Sequence, residues 1–227
     1  HGSQYLPPDP RSTTPMSYYH PAGGNAEALS LRPGGRIAGI GLGTGAIAAL
    51  GGPDEHFVFY ELDPNAETLA RRWFTYLDDD DEVRVGDARL VLATETSTYD
   101  ALLVDAFSGD GIPTHLLTVE AFQLYLDHLA PDGVLVLHIS NRFLDLRGVV
   151  KAIAQQLGLH GLVRFETGDD PAIDEPLYGP AATVLLTRSP VDPPSERWVR
   201  FGPDDGIPEH TAWTDDHLDL LQPLGLR

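Results

Sequence analysis

Residues 36–50 read "RIAGIGLGTGAIAAL", and the fold turns on how this stretch is interpreted. The run "RIAGIG" has the unbroken apolar character of a strand buried on both faces. The glycines of "GLGTG" then break it into a turn, and "TGAIAAL" reads as the start of a helix. The alternation repeats at once. "HFVFYEL" (56–62) is a strand, and "PNAETLARRWFTYL" (64–77) is a helix with proline in its first turn.

Further along, the strand candidates are "EVRVG" (82–86), "YDALLVD" (99–105) and "GVLVLHIS" (133–140), with "DARLVLA" (87–93), "TVEAFQLYLDHLA" (118–130) and "LRGVVKAIAQQLG" (146–158) between or after them. Apolar strands separated by helices predict a mostly parallel sheet covered on both faces. The last two strands, "GLVRFET" (161–167) and "AATVLLT" (181–187), are divided only by "GDDPAIDEPLYGP". Without a crossover helix they must run antiparallel. The expected architecture is α/β: a Rossmann-like, class I methyltransferase-type sheet of seven strands with helices on both faces. Residues 1–35, rich in proline, glycine and serine, form an N-terminal arm; 36–190 form the Rossmann-like catalytic domain; 191–227 form a C-terminal tail that packs on it. Within the tail, "WTDDHLDLL" (213–221) is the one helical candidate, with Thr214 as cap and Asp215 and Asp216 at the positive end of the helix dipole.

The chain has 15 basic against 34 acidic residues, a net charge of -19, and Lys151 is its single lysine. Such a surface disfavours nucleic acid and anionic membranes as partners and attracts small cations, although a solubility or salt-adapted surface is the better explanation of the charge taken alone. The absence of cysteine excludes thiolate chemistry and cysteine metal sites. No apolar run approaches the roughly 18 residues of a membrane span, and the N-terminus lacks a secretory pattern.

A glycine turn between a strand and a helix lets part of a nucleotide-bearing ligand lie against backbone, so Gly41, Gly43, Thr44 and Gly45 are candidate cofactor contacts. A tight turn with no ligand is the alternative. Glu61 ends the next strand, about 20 residues beyond Gly41, where a carboxylate can accept from two ribose hydroxyls. Asp63, beside Pro64, has the simpler use of capping a helix. After the third strand, "GDAR" brings Asp87 and Ala88 to the same crevice, with Asp87 able either to accept from an adenine amino group or to cap a helix. A dinucleotide would need its pyrophosphate held; a nucleoside sulfonium would not.

Taken together, "GLGTG", "FYELDP", "GDARL" and "YDALLVDAFSGDGIPTHLLTVEAFQLYLDHLAPDGVLVLHISNR" resemble the spermidine synthase (polyamine aminopropyltransferase) family. The likeness is greatest to the bacterial branch in which such a domain often follows a membrane transporter-like segment, which suits a chain that begins at His1. The resemblance implies binding of decarboxylated S-adenosylmethionine, transfer of its aminopropyl group to a diamine such as putrescine, and release of methylthioadenosine, with no metal. By motif position it gives Gly41, Gly43, Thr44 and Gly45 to the cofactor, Glu61 to the ribose, and Asp87 with Ala88 to the adenine. Asp105 matches the catalytic aspartate, and Asp110 the second acidic residue of a substrate loop. In the arm, "HGSQ" and "YYH" resemble two short family signatures, which implies Gln4 at the cofactor and Tyr19 at the diamine. The resemblance also allows a homodimer and implies a cytoplasmic location, as the cytoplasmic domain of a longer membrane-attached chain.

The chain departs from the family in having Thr44 where an aspartate is usual, Pro21 where a glutamate is usual, a loop after Asp105 one residue longer, and little of the N-terminal strand domain. Thr44 removes both a partner for the aminopropyl ammonium and a charge that would repel the carboxylate of intact S-adenosylmethionine. N-methyl transfer or another reaction of intact S-adenosylmethionine is therefore the second expectation, and a nucleoside-sensing domain without turnover the third.

Aminopropyl transfer is an in-line displacement whose difficulty lies in the nucleophile. An alkylamine with a pKa near 10.4, the value for lysine, is mostly protonated at neutral pH. A carboxylate in the crevice can draw in the ammonium, take its proton and aim the lone pair. Asp105, at the carboxyl end of the strand after the topological switch, is placed for this. Asp110 can bind the distal ammonium, or both aspartates can simply serve loop amides. His20, His115 and His138 approach the crevice at spacings matching no common zinc pattern. Tyr18 contacts substrate or anchors the loop, and Asn141 reaches the pocket or caps a helix.

Overall fold

Strand β1 (Arg36–Ile40) lies in the middle of the sheet because both its faces are apolar: Ala38 and Ile40 point to one side, Ile37 to the other, and all three are buried. The computed structural model describes residues 2–106, 111, 113–168 and 180–224. In it β1 is flanked by two parallel neighbours, β2 (His56–Glu61) and β4 (Tyr99–Val104). With β3 (Glu82–Val85), β5 (Leu129–His138), β6 (His160–Glu166), β7 (Ala181–Thr187) and β8 (Trp198–Arg200), the sheet runs in the order β3-β2-β1-β4-β5-β7-β6-β8. The direction of progression reverses between β1 and β4, and that switch point is where ligands bind in such sheets.

One face of the sheet packs against α3 (Ala88–Leu92), α4 (Val119–Asp127) and α5 (Arg147–Gln156), with Leu92, Phe122, Tyr125 and Ile153 in one apolar cluster that also takes in Trp213 of the tail. The other face is covered by α1 (Gly24–Leu29), by the β1–β2 connection through Leu42, Ala46 and Ile47, and by Ala70 of α2 (Ala66–Trp73). Asp87 caps α3 by accepting from the Arg89 and Leu90 amides, and Thr118 caps α4 by accepting from Ala121. As expected, β7 runs antiparallel to β6; it also inserts between β5 and β6.

Four features differ from the expectation. The sheet has eight strands, because the tail contributes β8, which pairs antiparallel with β6 and covers an edge that would otherwise expose unpaired amides. Its Trp198 is buried and donates through Nε1 to Glu27. Secondly, "TGAIAAL" forms no α-helix: turns lead into a single 3-10 turn at Ala48–Leu50, and Gly45, at φ 80° and packed on Leu77, bends the chain too sharply to open a helix. Thirdly, "WTDDHLDLL" is a tight turn closed by a Thr214–His217 bridge, since Thr214 Oγ1 accepts from the His217 amide and Asp215 is drawn to Arg89. Lastly, α2 begins after Asn65, so Pro64 precedes the helix, and the arm contains α1 and a 3-10 turn at Ser17–Tyr19.

Buried ions fasten these peripheral parts to the sheet. Arg164 on β6, 1% exposed, pairs with Glu166 and with Glu27 of α1, and donates to the Ala22 carbonyl. Lys151 of α5, also 1% exposed, donates to Asp205, Glu209 and the Gly202 carbonyl, binding the tail to the helix. Among the described residues no helix is long and apolar enough to cross a membrane.

Candidate active site

The carboxyl ends of β1 to β4 rise in steps fixed by the sheet. The Gly41 amide donates to Tyr60, Gly86 to Glu61, and Asp105 to Ile40, continuing the ladder one residue past each strand. Above them opens a cavity of about 420 Å³, lined by Gly41, Gly43, Glu61, Asp87, Ala88, Asp105 and Tyr19 together with Tyr18, Asp63 and His115. That volume suits a small-molecule ligand.

Each carboxylate in the cavity is held by its own local structure. Glu61 accepts from the Leu42 amide through Oε2 (2.9 Å) and from the Asp63 amide through Oε1 (2.9 Å), so its remaining lone pairs are turned toward the cavity. Asp63 accepts from the Asn65 amide and side chain in a turn before α2. Asp87 divides its oxygens: Oδ1 caps α3, and Oδ2 faces the ring of His115 at 3.1 Å. His115 is steadied in turn, because Arg89 donates to its carbonyl while gripping Asp215 with both terminal nitrogens, and Thr118 donates to the same Asp215. That grip holds the Asp215 carboxyl down at about 2.

Asp105 is well enclosed, with its side chain 5% exposed. Tyr19 donates its hydroxyl to Oδ2 at 2.5 Å, and His138 Nδ1 lies 2.9 Å from Oδ1. Tyr18 packs on the His138 ring with centroids 4.2 Å apart. Burial, followed by the neighbouring Asp105 charge, pushes the Tyr18 hydroxyl up to about 12 and that of Tyr19 well above its ordinary value. Both tyrosines therefore act as neutral hydrogen-bonding groups across the physiological range.

Not every residue expected at the site faces the cavity. Gln4 is engaged with Thr75, accepting from its amide and donating to its hydroxyl, and donates also to the Ser12 carbonyl. This anchors the arm beside α2, away from the lining. Thr44 is buried beneath Gly2, where a Cβ would overlap the Thr44 hydroxyl, and Gly45 turns against Leu77; neither lines the cavity. Asp110 lies outside the described residues. His138 was legible only as a histidine near the crevice. Register identifies it, because Val104 pairs with Leu137, so the next residue on each strand, Asp105 and His138, emerge side by side.

No family model matches the chain. It is 37% identical over 108 residues to a polyamine aminopropyltransferase of Vibrio vulnificus, covering 44% of this chain and 36% of that protein. It is 31% identical over 104 residues to a probable polyamine aminopropyl transferase of Bifidobacterium longum, covering 44% and 23%. The chain thus matches little more than a third of the length of the first curated relative and under a quarter of the second. Among solved structures, a probable spermidine synthase from Corynebacterium glutamicum superposes with a TM-score of 0.53 at 26% identity, covering 67% of this chain and 55% of that one. These similarities support the spermidine synthase family and a transferase, on a Rossmann-like methyltransferase-type fold.

Proposed function

We propose that the chain carries the catalytic centre of an aminopropyltransferase that uses decarboxylated S-adenosylmethionine and a small diamine such as putrescine, releasing methylthioadenosine. The observation that carries this reading is the charge of the cavity wall: Glu61, Asp63, Asp87 and Asp105 line it, and among the described residues no arginine or lysine does. Such a wall suits a ligand that is cationic at the sulfonium and at its amines, and disfavours a phosphate or free carboxylate. The β1–β2 connection supports the same conclusion. Its turns supply no α-helix N-terminus of the kind that holds a pyrophosphate.

In this reading Glu61 receives the ribose hydroxyls, Asp87 and Ala88 meet the nucleobase, and Asp105 receives the ammonium beside Tyr19. The proton of the attacking nitrogen passes to Asp105, its lone pair forms the new C–N bond, and the electrons of the broken C–S bond leave on the neutral thioether. Asp105 keeps lone pairs for this, since Tyr19 and His138 each use one on a different oxygen.

The deciding experiment incubates the protein with putrescine and either form of the cofactor and follows the products by mass. Methylthioadenosine appearing with spermidine from the decarboxylated form supports the proposal. S-adenosylhomocysteine from intact S-adenosylmethionine would instead establish methyl transfer, and cofactor binding without either product a sensing role.

A further inference from the structure

We propose that His138 is a positioning residue for Asp105, donating from Nδ1 to hold the carboxylate ionised and in one plane, with Ser140 selecting the required tautomer. The inference rests on the reading of Asp105 as the base.

The argument begins with Ser140. Its Oγ accepts from the Ala182 amide at 2.8 Å and lies 2.6 Å from Nε2 of His138. A hydroxyl that already accepts from a backbone amide has its single hydrogen available, and the imidazole nitrogen is the acceptor beside it. An ionised Asp105 can only accept at Oδ1, so in the neutral ring Nδ1 carries the proton and Nε2 the lone pair that the Ser140 hydrogen meets. The Ala182 amide is fixed by β7, which pairs with β5 beyond His138, so the tautomer is set by the sheet itself.

The pair is nearly sealed: both side chains are 5% exposed. A carboxylate removed from water favours its protonated form unless donors replace the lost solvent. Two do so here, Tyr19 at Oδ2 and His138 at Oδ1. Asp105 from the end of β4, Ser140 from beyond β5 and the ring of Tyr18 from the arm all face the imidazole. His138 thus does for Asp105 what a carboxylate does for a histidine in other sites, with the roles exchanged. It holds Nδ1–H throughout the reaction, and the substrate proton resides on Asp105.

Two measurements test this, one of them independent of turnover. Long-range 1H–15N NMR of the protein, with His138 assigned by its loss in His138→Gln, is expected to show the neutral Nδ1–H form, and Ser140→Ala to lose that preference. An Nε2–H tautomer in the wild type would overturn the proposal. In kinetics, His138→Ala is expected to lower kcat about 10–100-fold with little change in the KM for the cofactor. His138→Gln, whose amide can replace the donor, is expected to recover most of kcat. Unchanged kcat in His138→Ala, or no recovery in a folded Gln variant, would sink it. Should the wild type transfer no aminopropyl group, the function reading fails separately. The proposal is then decided by the tautomer measurement, which needs no turnover: the Nδ1–H form in the wild type and its loss in Ser140→Ala support it, and an Nε2–H form overturns it.

Discussion

Gly41 sits directly against the backbone of Asp105: a Cβ at 41 would overlap the Asp105 carbonyl oxygen and crowd the Ala106 Cα. With φ at 96°, the position also lies where side chains are strained. Glycine at 41 thus lets the end of β1 close upon the aspartate across the switch point. Gly41→Ala is expected to cost about 1–3 kcal/mol through strain and displacement. Thermal unfolding should register it at about 2–4 °C per kcal/mol, and turnover should fall further than stability because Asp105 is moved.

Asp105→Asn keeps the shape of the side chain and removes the proton acceptor. Turnover is expected to drop about 10²–10⁴-fold while calorimetric affinity for methylthioadenosine holds. A mutant of normal rate would remove the proposed mechanism.

Glu61→Gln loses a charged acceptor facing the proposed ribose. It should weaken methylthioadenosine binding roughly 10–100-fold, in keeping with the ~1.5–3 kcal/mol of a hydrogen bond to a charged group. Equal affinity in wild type and variant would place the ribose elsewhere.

The raised tyrosines fix an alkaline dependence. Tyr18 titrates at about 12 in the folded chain against an ordinary 10.0, so its neutral form favours folding. That contribution is complete below pH 10 and is lost as pH climbs through 10 toward 12, where the unfolded chain ionises first. Melting temperature should fall across this window, and Tyr18→Phe should make the fall shallower.

Asp215 has the opposite sign. Its carboxyl is held at about 2 against 3.8, chiefly by hydrogen bonding to Arg89, so its contribution is present above 3.8 and is lost as pH falls through about 2. The side chain is 43% exposed and screened by solvent. Asp215→Asn is therefore expected to cost only about 1 kcal/mol or less at neutral pH. In chemical denaturation the gap to wild type should close as pH is lowered from about 4 toward 2.

The strands and the acidic residues at their ends were legible because each depends on a few neighbouring residues: an apolar run with a carboxylate at or just beyond its end. Glu61, Asp87 and Asp105 follow that rule and share one cavity. What escaped depends on distant parts of the chain. Tyr19 meets Asp105 across 86 residues, and His138 is identified only through the register of β4 on β5. The short motif around Gln4 carries no information about Thr75, which holds it away from the lining, nor does "GLGTG" reveal that Gly2 lies over Thr44. The tail misled for a related reason. Thr214 and two aspartates resemble a helix start, but Arg89 offers Asp215 a stronger partner than the dipole of a short helix.

The burial of Lys151 has a chemical corollary. It is the single lysine of the sequence, and its ammonium is enclosed by Asp205, Glu209 and a carbonyl. The fold therefore presents no lysine amine to an electrophile in solution. An alkyl donor of the kind proposed for the cavity would meet no lysine of this chain, and amine-directed labels should likewise leave the folded domain's lysine unmodified.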